Sequence, residues 1–268
     1  MPGDNNIDGV RSIAAATNIS GKTIADQLVK ARKTWKSYQE SLPVEGADKV
    51  NISDGFYTNN TDFSKITPVL NPPLTSSGIV ALYAVKHNPF AYFKNVQEGM
   101  NPKLSLNQVV GFEGENGLFA DLASGKAANF SFIAPNQCND QHGRGNAGPF
   151  CNYDPLSDGS QAGLNPALIQ RGDETIKRLV TSIQSSAAWT RSTNSAIVIM
   201  WDENDYSTAP NTNQVPVIVL TKAGSKGMQS STYYNHFSLL KSIESGLGLP
   251  CLNHACDADV QVMSDLFN

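Results

Sequence analysis

Apolar residues at Ile24, Leu28 and Ala31 recur at helical spacing behind Thr23 and Asp26, which have the form of a capping box with the shorter acid. That pattern predicts a short helix over 23–32. Thr34-Trp35-Lys36-Ser37-Tyr38 reads as a strand from its aromatic and threonine content. Residues 1–22 are polar and carry no clear element before the helix, and 43–77 is loop-rich, interrupted by Pro68, Pro72 and Pro73. The second half is more regular. Residues 118–124 predict a helix stopped by Gly125, and 129–134 a strand ended by Pro135. Leu168, Ile169, Ile176, Leu179, Val180 and Ile183 share one side of a helix over 166–186. The run 196–201 is apolar throughout, as expected of a central parallel strand covered on both faces. A further strand is predicted over 215–220, with Pro216 near its start. Phe237, Leu239, Leu240, Ile243 and Leu247 mark a helix running into Gly246 and Gly248, and a last short helix is predicted over 258–266.

Strands thus alternate with helices, which predicts an α/β fold with a mostly parallel sheet flanked by helices. The length of 268 residues fits a single domain. Charged residues make up only 16%, below the usual level of about a quarter, and Asn, Ser, Thr and Gln supply the polarity instead. A net charge of -4 leaves no basic footprint for nucleic acid. No apolar run approaches the roughly 20 residues of a membrane-spanning helix.

The four cysteines fall in two close pairs, Cys138 with Cys151 and Cys251 with Cys256. Local pairs suit two short-range disulfides in an oxidising compartment. The alternative is a metal site, since His254 lies between Cys251 and Cys256, although neither a C-x2-C turn nor a full ligand set is present. Asn18, Asn51, Asn59 and Asn129 head Asn-x-Ser/Thr triplets, in keeping with a secreted or periplasmic protein. Residues 1–6 have no basic start and no apolar segment, so an export signal is expected to be absent from this chain.

In α/β folds ligands gather where strands end. Strand 129–134 leads into Asn136-Gln137-Cys138-Asn139-Asp140-Gln141-His142, and strand 196–201 leads into Asp202-Glu203-Asn204-Asp205. Side by side, the two strands would open both loops on one edge. Neighbouring carboxylates there repel unless a cation or a proton neutralises them, and a divalent metal on oxygen and imidazole ligands answers that need. Each residue also has a plainer reading. Asp202 and Glu203 suit a turn or a helix cap, Asp140 an Asx-turn, and His142 an exposed loop position. His87 lies in the apolar neighbourhood of Lys86-His87-Asn88-Pro89-Phe90 and suits a hydrogen-bonded core residue. His236 opens a helix, where it would either face an anion or help to cap the helix.

Several stretches in order resemble one family. They are Ile197-Val198-Ile199-Met200-Trp201-Asp202-Glu203, the segment Tyr233-Tyr234-Asn235-His236-Phe237-Ser238 with Gly248-Leu249-Pro250, and Phe130-Ser131-Phe132-Ile133 leading to Asn139-Asp140-Gln141-His142. Lys86 to Phe90 and Trp35 to Glu40 add to them. The chain resembles the phosphoesterases that include secreted acid phosphatases and phospholipases C, within the alkaline phosphatase superfamily, from about Ile24 onward. The resemblance implies metal-assisted hydrolysis of phosphate esters on an alkaline phosphatase-like fold. It implies Asp202 and Glu203 as ligands of a divalent metal ion, Asp140 and His236 as further ligand candidates, and His87 and His142 as catalytic residues facing the phosphoryl group. A metal would polarise phosphoryl oxygens, and histidines would donate to the charge that builds on them.

Two family motifs are not recognisable: an early strand ending in a Glu-Asn pair, and a later Ser or Thr nucleophile. The chain is therefore expected to correspond to the C-terminal part of a member, and no nucleophile is assigned. The implied partner is a phosphate-ester small molecule or a lipid head group. A rival expectation is a non-catalytic protein of the same fold that binds a phosphorylated ligand or partner without turning it over.

Overall fold

The computed structural model describes residues 19–42, 45–46, 83–97, 99–142, 166–204 and 212–267. The first helix, α1 (Ile24–Lys30), starts as its sequence dictates. Thr23 Oγ1 accepts the N–H groups of Ala25 and Asp26 at 3.1 and 3.4 Å, and Asp26 Oδ2 accepts the Thr23 N–H at 2.7 Å. The chain then enters β1 (Trp35–Gln39), the middle strand of a parallel sheet ordered β2-β1-β3, with β2 at Val109–Gly111 and β3 at Phe130–Ala134. Trp35 faces Phe130, Gln39 faces Ala134, and Ser37 faces Val109 across the two ladders.

Strand alternation divides the core in two. Trp35 on one face packs with Phe90, Phe130, Phe132, α1 residues Ile24, Ala25 and Leu28, and Leu240 and Ile243 of a later helix. The Trp35 and Phe90 rings lie 4.8 Å apart, and burying each such ring stabilises the fold by roughly 2–3 kcal/mol. Tyr38 on the other face packs with Val110, Phe112, Leu118, Leu122, Leu179 and Ile183. The latter residues belong to α3 (Leu118–Ser124) and α4 (Pro166–Ser185); α2 (Lys94–Gln97) precedes them. Gly125 closes α3 at φ 72°, a left-handed position that only glycine takes without strain. The sheet thus lies between two helical layers, an α/β arrangement as expected.

A short helix α5 (Ala187–Thr190) leads to β4 (Ala196–Met200), followed by β5 (Val217–Thr221), α6 (His236–Gly246) and α7 (Ser264–Phe267). Here the expectation of a parallel, fully covered strand over 196–201 is corrected. β4 pairs with β5 in an antiparallel ladder, from Ala196 opposite Thr221 to Met200 opposite Val217. Its residues are half-buried or exposed, and Ile218 beside it is 46% exposed. An apolar run reports tolerance of burial, but it carries no sign of strand direction.

The last helix is also shorter than predicted. Lys241 Nζ donates to Val260 O at 2.7 Å, and Met263 N donates to Ser242 Oγ at 2.8 Å. Side chains of α6 therefore satisfy backbone groups over 260–263 that a longer helix would have paired internally. β2 and the 3₁₀ turns Val85–His87 and Pro89–Tyr92 were not predicted. The loop reading of 43–77 falls, except for 45–46, outside the described residues.

Candidate active site

The carboxyl end of β1 carries Glu40, on the same side of the strand as Tyr38 and α4. Backbone pairing continues to this point, with Glu40 N donating to Ala134 O at 3.0 Å. Beyond β3 the chain turns back onto the Glu40 carboxylate. Asn136 N donates to Glu40 Oε2 at 2.9 Å, and Asn139 Nδ2 donates to Oε1 at 2.9 Å and Oε2 at 2.8 Å. The turn is braced internally by Cys138 N on Asn136 Oδ1 and by Asn136 Nδ2 on Ser41 Oγ, both at 2.9 Å. Burial pushes the Glu40 carboxyl above the usual carboxylate range. The Asn136 and Asn139 donors and the charges of Arg178 and Arg171 pull it partly back.

A second tie closes the other end of the loop. Gln141 sits at φ 71°, donates through Nε2 to Ile169 O of α4 at 3.2 Å, and accepts Trp201 Nε1–H on Oε1 at 3.0 Å. Gly172 makes room for it: a Cβ there would lie 2.2 Å from Gln141 Cγ. The loop after β3, the start of α4 and the end of β4 therefore meet at one place. The two strand-end loops are neighbours, though a glutamine joins them rather than strand pairing.

The predicted site residues divide accordingly. Asp140 is half-buried, and its Oδ1 accepts the His142 N–H at 3.0 Å, which is the Asx-turn geometry. His142 is exposed in that loop. Asp202 and Glu203 are exposed just beyond Trp201, where Asn204 N donates to Asn213 Oδ1 at 2.9 Å. His87 is half-buried beside Asn88, whose Oδ1 accepts Ser37 Oγ–H at 3.0 Å, on the face of β1 opposite to α4. His236 is the exposed first residue of α6, which is capped by Asn235 through Ser238 N at 3.0 Å. Gln141 thus brings the Asp140 and His142 loop to the Asp202 and Glu203 loop. His87 and His236 are held by other elements.

Among the described residues no group of three His, Cys, Asp or Glu side chains gathers as a metal cage. Asp202 and Glu203 offer the hard oxygen donors a divalent ion takes, but among the described residues a complete ligand set is not assembled around them. The metal reading of Cys251, His254 and Cys256 is overturned. Cys251 and Cys256 form a disulfide, and His254 Nδ1 pairs with Asp257 Oδ2 at 2.9 Å. Cys138 is buried and disulfide-bonded, and Cys151 lies outside the described residues.

Sequence reasoning gave no role to Glu40, Asn139, Gln141 or Arg171. Arg171 Nε donates to Asn139 Oδ1 at 2.7 Å, extending the Glu40–Asn139 contact into α4. The only local signal was an acidic residue directly after a strand.

Residues 161–250, which include α4, α5, β4, β5 and the whole of α6, match the Phosphoesterase family. The chain is 24% identical over 255 residues to an acid phosphatase of Aspergillus fumigatus, covering 89% of this chain and 42% of that protein. It is 26% identical over 258 residues to a probable acid phosphatase of Kluyveromyces lactis, covering 95% and 48%. It is 25% identical over 237 residues to a phosphatidylinositol-3-phosphatase of Mycobacterium tuberculosis, covering 85% and 62%. The chain spans about half the length of the curated relatives it matches. Residues 161–250 thus carry the match to the Phosphoesterase family, and the longer likeness to acid phosphatases runs at about a quarter identity.

Proposed function

We propose that this chain hydrolyses phosphate monoesters, in the manner of an acid phosphatase. The supporting observation is the Gln141–Trp201 contact, which sets the Asp140 and His142 loop beside Asp202 and Glu203 at the ends of β3 and β4. His142, exposed in that loop, supplies a hydrogen-bond donor to a phosphoryl oxygen, or the proton for a leaving alkoxide. His87 is proposed as a second donor to the same group. Asp202 and Glu203 are the proposed oxygen ligands of a divalent ion, with Asp140 and His236 as further candidates. Relatives named acid phosphatase and phosphatidylinositol-3-phosphatase support a small phosphate ester or a phosphorylated lipid head group as the proposed substrate. The Cys251–Cys256 disulfide supports a secreted or periplasmic setting. No helix among the described residues is long and apolar enough to cross a membrane.

The test is release of p-nitrophenol from p-nitrophenyl phosphate between acid and neutral pH, with and without added divalent ions, beside p-nitrophenylphosphocholine as a diester. Turnover of the monoester, lost in Asp202→Ala while circular dichroism stays unchanged, supports the reading. Faster turnover of the diester would move it to the phospholipase C type. Saturable phosphate binding with no turnover by the folded chain would replace it with a binding protein.

A further inference from the structure

We infer that Arg171 is an anion-binding fork, set by Glu40 and Asn139 to hold the phosphoryl group of the substrate; this rests on the phosphate-ester reading above. Glu40 can only accept hydrogen bonds when ionised, so both its oxygens demand the amide nitrogen of Asn139. Turning that amide over would set its carbonyl oxygen against a carboxylate. Asn139 Oδ1 must then face the other way, and it meets Arg171 Nε–H at 2.7 Å. Asn139 is 9% exposed, so this orientation is held without competition from bulk water.

The outcome is a guanidinium anchored by one of its five N–H groups. Among the described residues no hydrogen bond or ion pair engages Arg171 Nη1 or Nη2, although the side chain is only half-buried and lies against the Asn139 to His142 loop. Arg178, one helical stretch further along α4, is spent differently. It pairs with Glu113 at 2.7 Å and lies 4.2 Å from the centroid of the Phe119 ring. A guanidinium fixed at Nε, with neither terminal nitrogen hydrogen-bonded among the described residues, presents the paired donors that match two oxygens of a phosphate. Lysine in its place would bring the charge without the fork.

The experiment measures two quantities on the full chain: inorganic phosphate binding by calorimetry, and KM with kcat for p-nitrophenyl phosphate. Arg171→Ala is expected to weaken phosphate binding and raise KM by roughly 10- to 100-fold. Arg171→Lys should recover only part of this, and added guanidinium chloride at low concentration should partly rescue Arg171→Ala. Arg171→Lys also serves as the test should the alanine variant fail to fold. Unchanged phosphate affinity in the folded lysine variant, or no phosphate binding by the parent chain, would overturn the inference. Phosphate binding that depends on Arg171 in a chain with no turnover would uphold the fork and remove the hydrolase reading.

Discussion

The indole N–H of Trp201 meets Gln141 Oε1 at 3.0 Å, joining the end of β4 to the loop after β3 across 60 positions of sequence. Neither residue belongs to the acidic and imidazole set that drew attention to these loops, yet their contact determines how that set is arranged. Trp201→Phe keeps an aromatic ring and removes the donor. Stability should fall by about 1 kcal/mol, and turnover of p-nitrophenyl phosphate by roughly 10- to 100-fold, since small misplacements of reacting groups are costly. Equal activity in the two proteins would mean that the loops meet without needing this contact.

Gly172 tests the same junction from the helix side. An alanine inside α4 should gain up to about 1 kcal/mol in helix propensity. Its Cβ would, however, stand 2.2 Å from Gln141 Cγ, so Gln141 must move and give up its bonds to Ile169 O and Trp201. Two lost bonds at about 1 kcal/mol each outweigh that gain. Gly172→Ala should therefore lower the urea midpoint slightly as well as the activity. In a Gln141→Ala background the clash and both bonds are already gone, so there Gly172→Ala should show the helix gain that it hides in the parent.

Behind the site, Asp121 joins α3 to β1. Its Oδ2 accepts Tyr38 Oη–H at 2.7 Å and pairs with Lys36 Nζ, while Lys36 also donates to Asn116 O at 3.1 Å. The Asp121 side chain is 7% exposed, so its removal leaves a buried hydroxyl and a poorly solvated ammonium. Asp121→Ala should destabilise the protein by about 3 kcal/mol, as breaking one side of a buried pair does. Chemical denaturation measures this directly, and a loss below about 1 kcal/mol would show that water replaces the carboxylate.

Local elements of the fold were legible in the sequence. Thr23 with Asp26, and Gly125, act within one turn of chain, so their side chains announce the ends of α1 and α3. The long periodic face of α4 is equally plain. β2 escaped notice because Val109, Val110 and Gly111 are too few to show a period, and the antiparallel pairing of β4 because apolarity does not encode direction. The site divides in the same way. Strand ends pointed to Asp140, His142, Asp202 and Glu203. Glu40, Asn139 and Arg171 stayed hidden because their contacts span 99 and 32 positions, and a polar network assembled by the fold leaves no local pattern.

Glu244 on α6 is 1% exposed, and among the described residues neither of its carboxylate oxygens is hydrogen-bonded. Burial pushes its carboxyl above the usual range. The nearby Gln27 amide, the Leu252 N–H and the Lys241 charge offset this in part, although neither Gln27 nor Leu252 completes a hydrogen bond to it. A carboxyl whose pKa is raised on folding binds its proton more tightly in the native state. Its contribution is complete below the unfolded pKa of about 4.3 and is lost as pH rises through the folded value. Glu244→Gln removes that loss, and its amide can donate to Gln27 Oε1, itself buried without a donor. The Tm of the variant relative to the parent should therefore climb from pH 4 towards neutrality, and a gap independent of pH would place an unseen cation or water at the carboxylate.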